Sequence, residues 1–356
     1  MSFDLPSLGW DDAFAAAYAA HARDGDRPGR VLRADRGVCT VLTADGVVRA
    51  SLAGAVLARA AREPETLPCA GDWLVVRHWP DDRVTAEAVL PRHTALVRRT
   101  ADKDSTGQVL AANMDAAAVV EPIDPSPDLG RIERLVALAW ESGARPLVVL
   151  TKADLAADPD AVAGQVADAA PGVEVLPVSA QRWTGLAALR PLVGPGRTLG
   201  LLGPSGAGKS TLVNALAGAR VMATQQIRRA DGKGRHTTTY RALIPIPGGG
   251  AVLDTPGLRA VGLLDADEGL GRAFADVEAL AAACRFADCG HAGEPGCAVA
   301  AAVESGALAP RRLESWHRLR REVAYELRRR DARLAAQERA KWKRITKEQR
   351  QRGYRP

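Results

Sequence analysis

The chain of 356 residues has no apolar run approaching the roughly 18 residues of a membrane span, and Met1 to Trp10 lacks the basic stretch and apolar core of a secretory leader. A soluble, cytoplasmic protein with no membrane partner is expected. Aromatic residues make up only 4% of the sequence, and there are five cysteines. An odd and small number of thiols gives no disulfide framework. Three of them, Cys284, Cys289 and Cys297, crowd beside His291, which points to metal ligation. At 47% hydrophobic residues, the chain can still bury the cores of two or three domains.

Negative charge is scarce at the C-terminal end. Arg311 to Pro356 holds 17 Lys/Arg against 6 Asp/Glu, a balance of +11, whereas the whole chain carries +6, so residues 1–310 sum to −5. One-signed charge of this density suits a polyanion, and in the cytoplasm that means nucleic acid.

Along the chain, residues 4–21 read as a short helix with Leu8, Phe14 and Tyr18 on it. From Arg30 to Leu90 the pattern turns to short β-runs, 30–33, 38–43, 47–52, 73–78 and 84–89, with a tight hairpin at Asp45-Gly46. Five such runs predict a small barrel of the OB type, the alternative being a generic β-barrel. Residues 92–113 read as a linker or long loop. After it, apolar runs at 116–121, 146–150, 173–178 and 198–202 alternate with helical patterns at 129–141, 161–169, 186–192 and 212–217. Alternation of this kind predicts a doubly wound, mostly parallel sheet with ligands at the carboxyl ends of its strands.

Those ends carry nucleotide chemistry. Gly203-Pro204-Ser205-Gly206-Ala207-Gly208-Lys209-Ser210-Thr211 matches GxxxxGK(S/T) between a strand and a helix. Its glycines let backbone N–H groups turn toward phosphate oxygens, Lys209 reaches the β- and γ-phosphates, and the Ser210 hydroxyl ligates Mg²⁺. Thr151-Lys152-Ala153-Asp154 ends another strand. The Asp154 carboxylate can accept from guanine N1–H and N2–H₂, a donor pair that adenine lacks, while Lys152 lies along the base. Ser179-Ala180 can offer a backbone N–H to guanine O6. Asp254 ends an apolar strand in Asp254-Thr-Pro-Gly257, where Asp254 belongs in the Mg²⁺ shell and the Gly257 N–H meets the γ-phosphate. Between these lies Asp231-Gly-Lys-Gly-Arg-His-Thr-Thr-Thr239, a polar segment in which Thr237, Thr238 or Thr239 can supply a further Mg²⁺ ligand, Thr238 being the leading candidate.

In this order, with base motif, Ser-Ala and phosphate loop followed by Arg-His-Thr-Thr-Thr and Asp-Thr-Pro-Gly, the chain is circularly permuted relative to ordinary GTPases. With the β-run region containing Ala70-Gly-Asp-Trp73 in front and the Cys/His cluster behind, it resembles the RsgA (YjeQ/EngC) family of ribosome small-subunit-dependent GTPases. Thr151 stands where many GTPases have Asn, and a looser base-site scaffold is expected from it. Leu258 occupies the place of a water-positioning Gln, so intrinsic GTP hydrolysis is expected to be slow. His236 is the candidate to orient water once a partner binds.

Cys284-x₄-Cys289-x-His291-x₅-Cys297 supplies a complete tetrahedral set for one structural Zn²⁺. Cys39 and Cys69 read as inert core residues. Leu313, Trp316, Leu319, Val323 and Leu327 recur at helical spacing as a packing stripe. The expected organisation is a multidomain α/β protein: an N-terminal extension (1–29), an OB-like barrel (30–95), a permuted GTPase domain (96–265), a helical zinc domain (266–330) and a basic tail (331–356). The resemblance implies a monomer that binds the small ribosomal subunit and its 16S rRNA, cycles between GTP and GDP, and acts in late subunit maturation. The rival readings are an RNA-binding protein with a vestigial nucleotide site and an ATP-dependent phosphotransferase.

Overall fold

The computed structural model describes residues 4–99, 107–222, 241–255 and 267–330. Helix α1 (Asp12–Ala19) is capped by Asp11, whose carboxylate accepts the Phe14 N–H, and it lays Phe14 against Trp10, Trp73 and His93 at the barrel's end. Strands β1 (Arg27–Asp35), β2 (Val38–Thr43), β3 (Gly46–Leu52), β4 (Trp73–His78) and β5 (Val84–Val89) close in the order β1-β2-β3-β5-β4, β1 pairing antiparallel to β4. Closure removes sheet edges and leaves Val31, Val41, Leu74, Val76 and Ala86 as a dry interior. Helix α2 (Gly54–Arg62) fills the long connection between β3 and β4.

The Ala70-Gly-Asp-Trp73 stretch anchors the barrel to the chain around Arg92 and Ala112. A Cβ on Gly71, at φ +94°, would lie 2.2 Å from the Ala112 carbonyl oxygen, so only glycine permits this approach. Asp72 accepts from Arg92 Nε at 2.7 Å and Nη2 at 2.8 Å, and Trp73 is fully buried.

Within 92–113, expected as a linker, the described residues are instead largely sheet. Strands β6 (Ala95–Arg99) and β7 (Gly107–Ala112) pair antiparallel and bury Leu96, Val109, Leu110 and Ala111. Their apolar sets are short and separated by a polar stretch, so the pairing left no local period to read.

The second sheet runs β10-β9-β8-β11-β13-β12, built from β8 (Ala116–Pro122), β9 (Arg145–Thr151), β10 (Glu174–Val178), β11 (Thr198–Leu202), β12 (Ala242–Pro245) and β13 (Ala251–Asp254). All neighbours are parallel except β12 on β13. Strand order reverses where β8 meets β11, the crevice in which open α/β sheets hold ligands. Helices α5 (Leu186–Leu189) and α6 (Lys209–Ala217) cover one face, and α3 (Leu129–Glu141) with α4 (Pro159–Ala169) cover the other.

Helix α3 is a wall shared by two parts of the chain. The C-terminal helices α7 (Asp267–Ala273), α8 (Ala275–Ala281), α9 (Ala298–Glu304) and α10 (Pro310–Arg330) place Leu270, Phe274, Trp316 and Leu319 in one continuous core with Ile132, Leu135 and Val136 of α3. At its centre Glu133, 1% exposed, accepts from Arg311, Arg312 and the Ser315 hydroxyl. Arg312 also reaches Asp276 at 2.8 Å and the Ala169 carbonyl at 2.9 Å. This charge set fixes how α10 seats on α3; removal of either member of its buried pair, Glu133 or Arg312, costs about 3–5 kcal/mol.

Arg30 plays the matching part between the barrel and the second sheet. Its guanidinium donates to the carbonyls of Leu8 and Asn113 and to Thr198 Oγ1 at 2.8 Å, and burial pulls its pKa down to about 10. Among the described residues, no helix is long and apolar enough to cross a membrane.

Candidate nucleotide and metal sites

The phosphate loop leaves β11 at the strand-order reversal. Gly203 sits at φ +155°, and a Cβ there would meet the Val120 carbonyl oxygen at 2.2 Å. The loop is thus pressed against β8 in a way only glycine allows. Gly208, at φ +91°, caps α6 without a side-chain bond, so the first N–H groups of the helix are left open at the cap. Those donors and the positive end of the helix dipole suit a phosphate. Ser205 is exposed, Ser210 is half-buried, and Pro204, Gly206, Ala207 and Thr211 complete the turn.

Lys209, 8% exposed, donates its Nζ to the Gly203 and Pro204 carbonyls at 2.9 and 2.8 Å. Burial lowers its pKa and the nearby Asp254 carboxylate opposes that. Asp254, 1% exposed, is shifted upward by burial, against the pull of Lys209. Its buried Oδ1 has no hydrogen-bond partner among the described residues. A buried carboxylate oxygen without a donor, beside the Ser210-bearing helix start, fits a hard divalent cation. Thr255 is locked to the Leu201 carbonyl at 2.7 Å, which holds the end of β13 against β11.

On the other side of the crevice, β9 and β10 present the base motif. Lys152 takes the left-handed conformation at φ +59°, turning the chain into the short 3₁₀ turn Ala153–Leu155 and leaving Asp154 exposed. The Ser179 hydroxyl, at the end of β10, donates to Asp154 Oδ1 at 2.5 Å and accepts the Arg182 N–H at 3.0 Å. Asp154 is therefore aimed by a side chain. The sequence suggests only backbone recognition from Ser179-Ala180.

Thr151 makes a tie that its spacing in the sequence does not announce. Its hydroxyl donates to the Ala207 carbonyl of the phosphate loop at 2.5 Å, with the Glu121 carbonyl at 3.4 Å. Thr151-Lys152-Ala153-Asp154 and the phosphate loop, 56 residues apart, are joined by this side chain. His236, Thr238 and Gly257, expected around the γ-phosphate, lie outside the described residues, as does Leu258.

The cysteine cluster assembles as its spacing predicts. Ligand atoms of Cys284, Cys289, His291 and Cys297 all lie within 4.8 Å of one another, and this set could hold a metal ion. His291 Nδ1 is 3.6 Å from both Cys284 Sγ and Cys297 Sγ, and those two sulfurs are 3.9 Å apart. Zn–S bonds of about 2.3 Å in a tetrahedron demand ligand separations of about 3.8 Å. Glu294 accepts the N–H groups of Gly290 and Ala292 at 3.0 and 2.7 Å, shaping the loop around the ligands.

Phosphate loop, base motif and buried carboxylate converge on one crevice although the base motif comes first in the chain, which defines a circularly permuted P-loop GTPase fold behind a five-stranded barrel. The sequence model of the RsgA GTPase family matches residues 89–264. The chain is 54% identical over 343 residues to the small ribosomal subunit biogenesis GTPase RsgA of Streptomyces coelicolor, covering 96% of this chain and 92% of that protein. It is 44% identical over 358 residues to the protein of the same name from Opitutus terrae, covering 98% and 97%. This chain belongs to the RsgA GTPase family. Among solved structures, the fold is shared with YjeQ from Thermotoga maritima at TM-score 0.61 and 24% identity, covering 84% of this chain and 98% of that one. It is shared with YloQ, a circularly permuted GTPase, at TM-score 0.58 and 24% identity, covering 85% and 96%.

Proposed function

We propose that this enzyme hydrolyses GTP to GDP and phosphate while bound to the small ribosomal subunit, acting in that particle's late maturation in the cytoplasm. The relatives' names supply the particle. The single observation that carries guanine is the Ser179–Asp154 bond, which holds a carboxylate at the carboxyl edge of the sheet, two strands from the phosphate loop.

On this reading, Lys209 releases the loop carbonyls to bind the β- and γ-phosphates, and the N–H groups of residues 203–211 cradle the rest of the chain of phosphates. Asp154 and the Ser179-Ala180 backbone read the guanine edge, with Lys152 along its face. Ser210, Asp254 and Thr238 would hold Mg²⁺, whose charge offsets that of the transferring phosphoryl group. His236 orients the attacking water and Gly257 senses the γ-phosphate. Cys284, Cys289, His291 and Cys297 would hold one structural Zn²⁺, and the basic C-terminal segment binds 16S rRNA phosphates. The enzyme works as a monomer divided near residues 30, 96, 266 and 331.

The test is GTP turnover with and without purified small subunits, for wild type and His236→Ala, alongside competition of GDP and ADP for the site. Subunit-stimulated turnover that depends on His236, with ADP failing to compete, is expected. Unchanged stimulated turnover in His236→Ala removes that residue's role. Equal competition by ADP removes the guanine assignment, and no turnover even with subunits removes the enzymatic reading.

A further inference from the structure

Two arginines beside the barrel each bury a guanidinium nitrogen that, among the described residues, lacks the oxygen partners found around Arg30, Arg92 and Arg312. Arg98 on β6 and Arg241, the residue before β12, each bury an Nε that finds no hydrogen-bond acceptor among the described residues. Arg30, Arg92 and Arg312, by contrast, each place guanidinium N–H groups on several oxygens. Arg98 and Arg241 are also neighbours. Burial, and next the positive charge of Arg98, lower the pKa of Arg241.

Among the described residues, the groups near this pair are not free to balance it. The Cys69 thiol faces Arg241, but burial raises its pKa well above the ordinary value, so it stays neutral. Asp72, which acts on the same thiol, is already engaged by two nitrogens of Arg92 and by the Cys69 N–H at 2.8 Å. A buried donor left unpaired is destabilising, more so when it is charged, and a like-charge neighbour adds to that. Both costs vanish if an anion joins the pair.

The location suits an incoming ligand. Both residues are half-buried, so solvent reaches part of each side chain. Strand β12 pairs antiparallel with β13 so that Ala242 opposes Asp254, which puts Arg241 at the same edge of the sheet as Asp254 but one strand further out. Arg is the residue type for bidentate recognition of a tetrahedral oxyanion, and two of them here act on each other with a buried N–H apiece to donate.

We propose that Arg98 and Arg241 form a second anion site, separate from the nucleotide crevice, that takes a phosphate group. An RNA phosphodiester and free inorganic phosphate share this chemistry. The RNA source rests on the ribosomal role proposed for this chain; the site itself does not.

The experiment uses the full chain as wild type, Arg98→Gln, Arg241→Gln and the double variant. Three quantities are measured: affinity for a fluorescein-labelled RNA hairpin across a salt series, affinity for inorganic phosphate by calorimetry with the nucleotide site filled by GDP, and Tm. GDP affinity is unchanged by these substitutions. With RNA as occupant, the double variant binds the hairpin about tenfold more weakly, and the slope of log affinity against log salt falls by about one. With free phosphate as occupant, calorimetric binding disappears in the variants while the hairpin is unaffected, which supports the site and identifies its source. Relief of the like-charge pair leaves the Tm of Arg241→Gln equal to or above that of wild type. Retention of both hairpin and phosphate binding in the double variant overturns the proposal. So does a Tm loss in Arg241→Gln with both affinities intact, because the arginine would then serve packing alone.

Discussion

Replacing Thr151 by Val removes one hydroxyl and keeps the side chain's shape, so it isolates the tie between base motif and phosphate loop. Thr151 is 5% exposed and Ala207 is 1% exposed, so the Ala207 carbonyl that loses its donor has little water to turn to. Leaving such an acceptor unpaired costs about 1–3 kcal/mol. Part of this falls on the fold and part on the nucleotide-binding arrangement of the loop, because the bonded residue lies inside Gly203–Thr211 and precedes the helix cap Gly208. If half falls on the loop, about 0.5–1.5 kcal/mol, GDP affinity drops about two- to twelvefold, at 1.4 kcal/mol per factor of ten. Fluorescent-GDP titration in Mg²⁺ is the assay, with Thr151→Ser as the control that restores the hydroxyl and most of the affinity. Equal GDP affinities for wild type and Thr151→Val, with Thr151→Ser no different from either, would refute the idea that this bond supports the loop.

Two further outcomes test other parts of the molecule. Purified protein should carry one zinc per chain, and Cys297→Ser should lose it along with the cooperative unfolding of α8 to α10, since Cys297 belongs to the proposed ligand set and also caps α9 through its 3.3 Å bond from the Ala300 N–H; metal analysis and hydrogen exchange report this, and a metal-free, fully protected wild type would contradict it. In the barrel, the hydrogen bonds from Arg77 at 2.7 and 2.8 Å hold the pKa of Asp26 below the ordinary carboxylate value. Stability from this pair is present above the unfolded pKa of about 3.9 and is lost as pH falls through the lower folded value. Asp26→Asn should therefore cost stability at neutral pH and flatten the acid limb of the unfolding curve, whereas an acid limb parallel to that of wild type would show that other carboxylates govern it.

Much of the site was legible because its chemistry is written in short spacings. The phosphate loop, Asp154 after its strand, Asp254 after its strand and the Cys/His set each span a few residues, and each lies where its local pattern put it. The five barrel runs likewise match β1 to β5, since alternation over six residues reports a half-buried strand directly. The β6–β7 pair was not legible. Its two halves are brief, and only pairing with each other and burial beneath the barrel makes them strands.

By itself, then, the sequence determined the strand-end carboxylate proposed to read guanine, the glycine-rich loop proposed to cradle phosphate, the Cys/His set that could hold a metal and the permuted order that joins them. Tertiary structure alone decided which groups hold those parts in place. Ser179 aims Asp154 across 25 residues, Thr151 braces the phosphate loop across 56, and Glu133 meets Arg312 across 179. Arg30 fastens the barrel to β11 across 168. A hydrogen bond between residues so far apart leaves no periodicity and no spacing, because it depends on two backbones being brought together by cores packed elsewhere. The unpaired nitrogens of Arg98 and Arg241 belong to the same class, since only the folded chain reveals that a polar atom has been buried without a partner among the described residues.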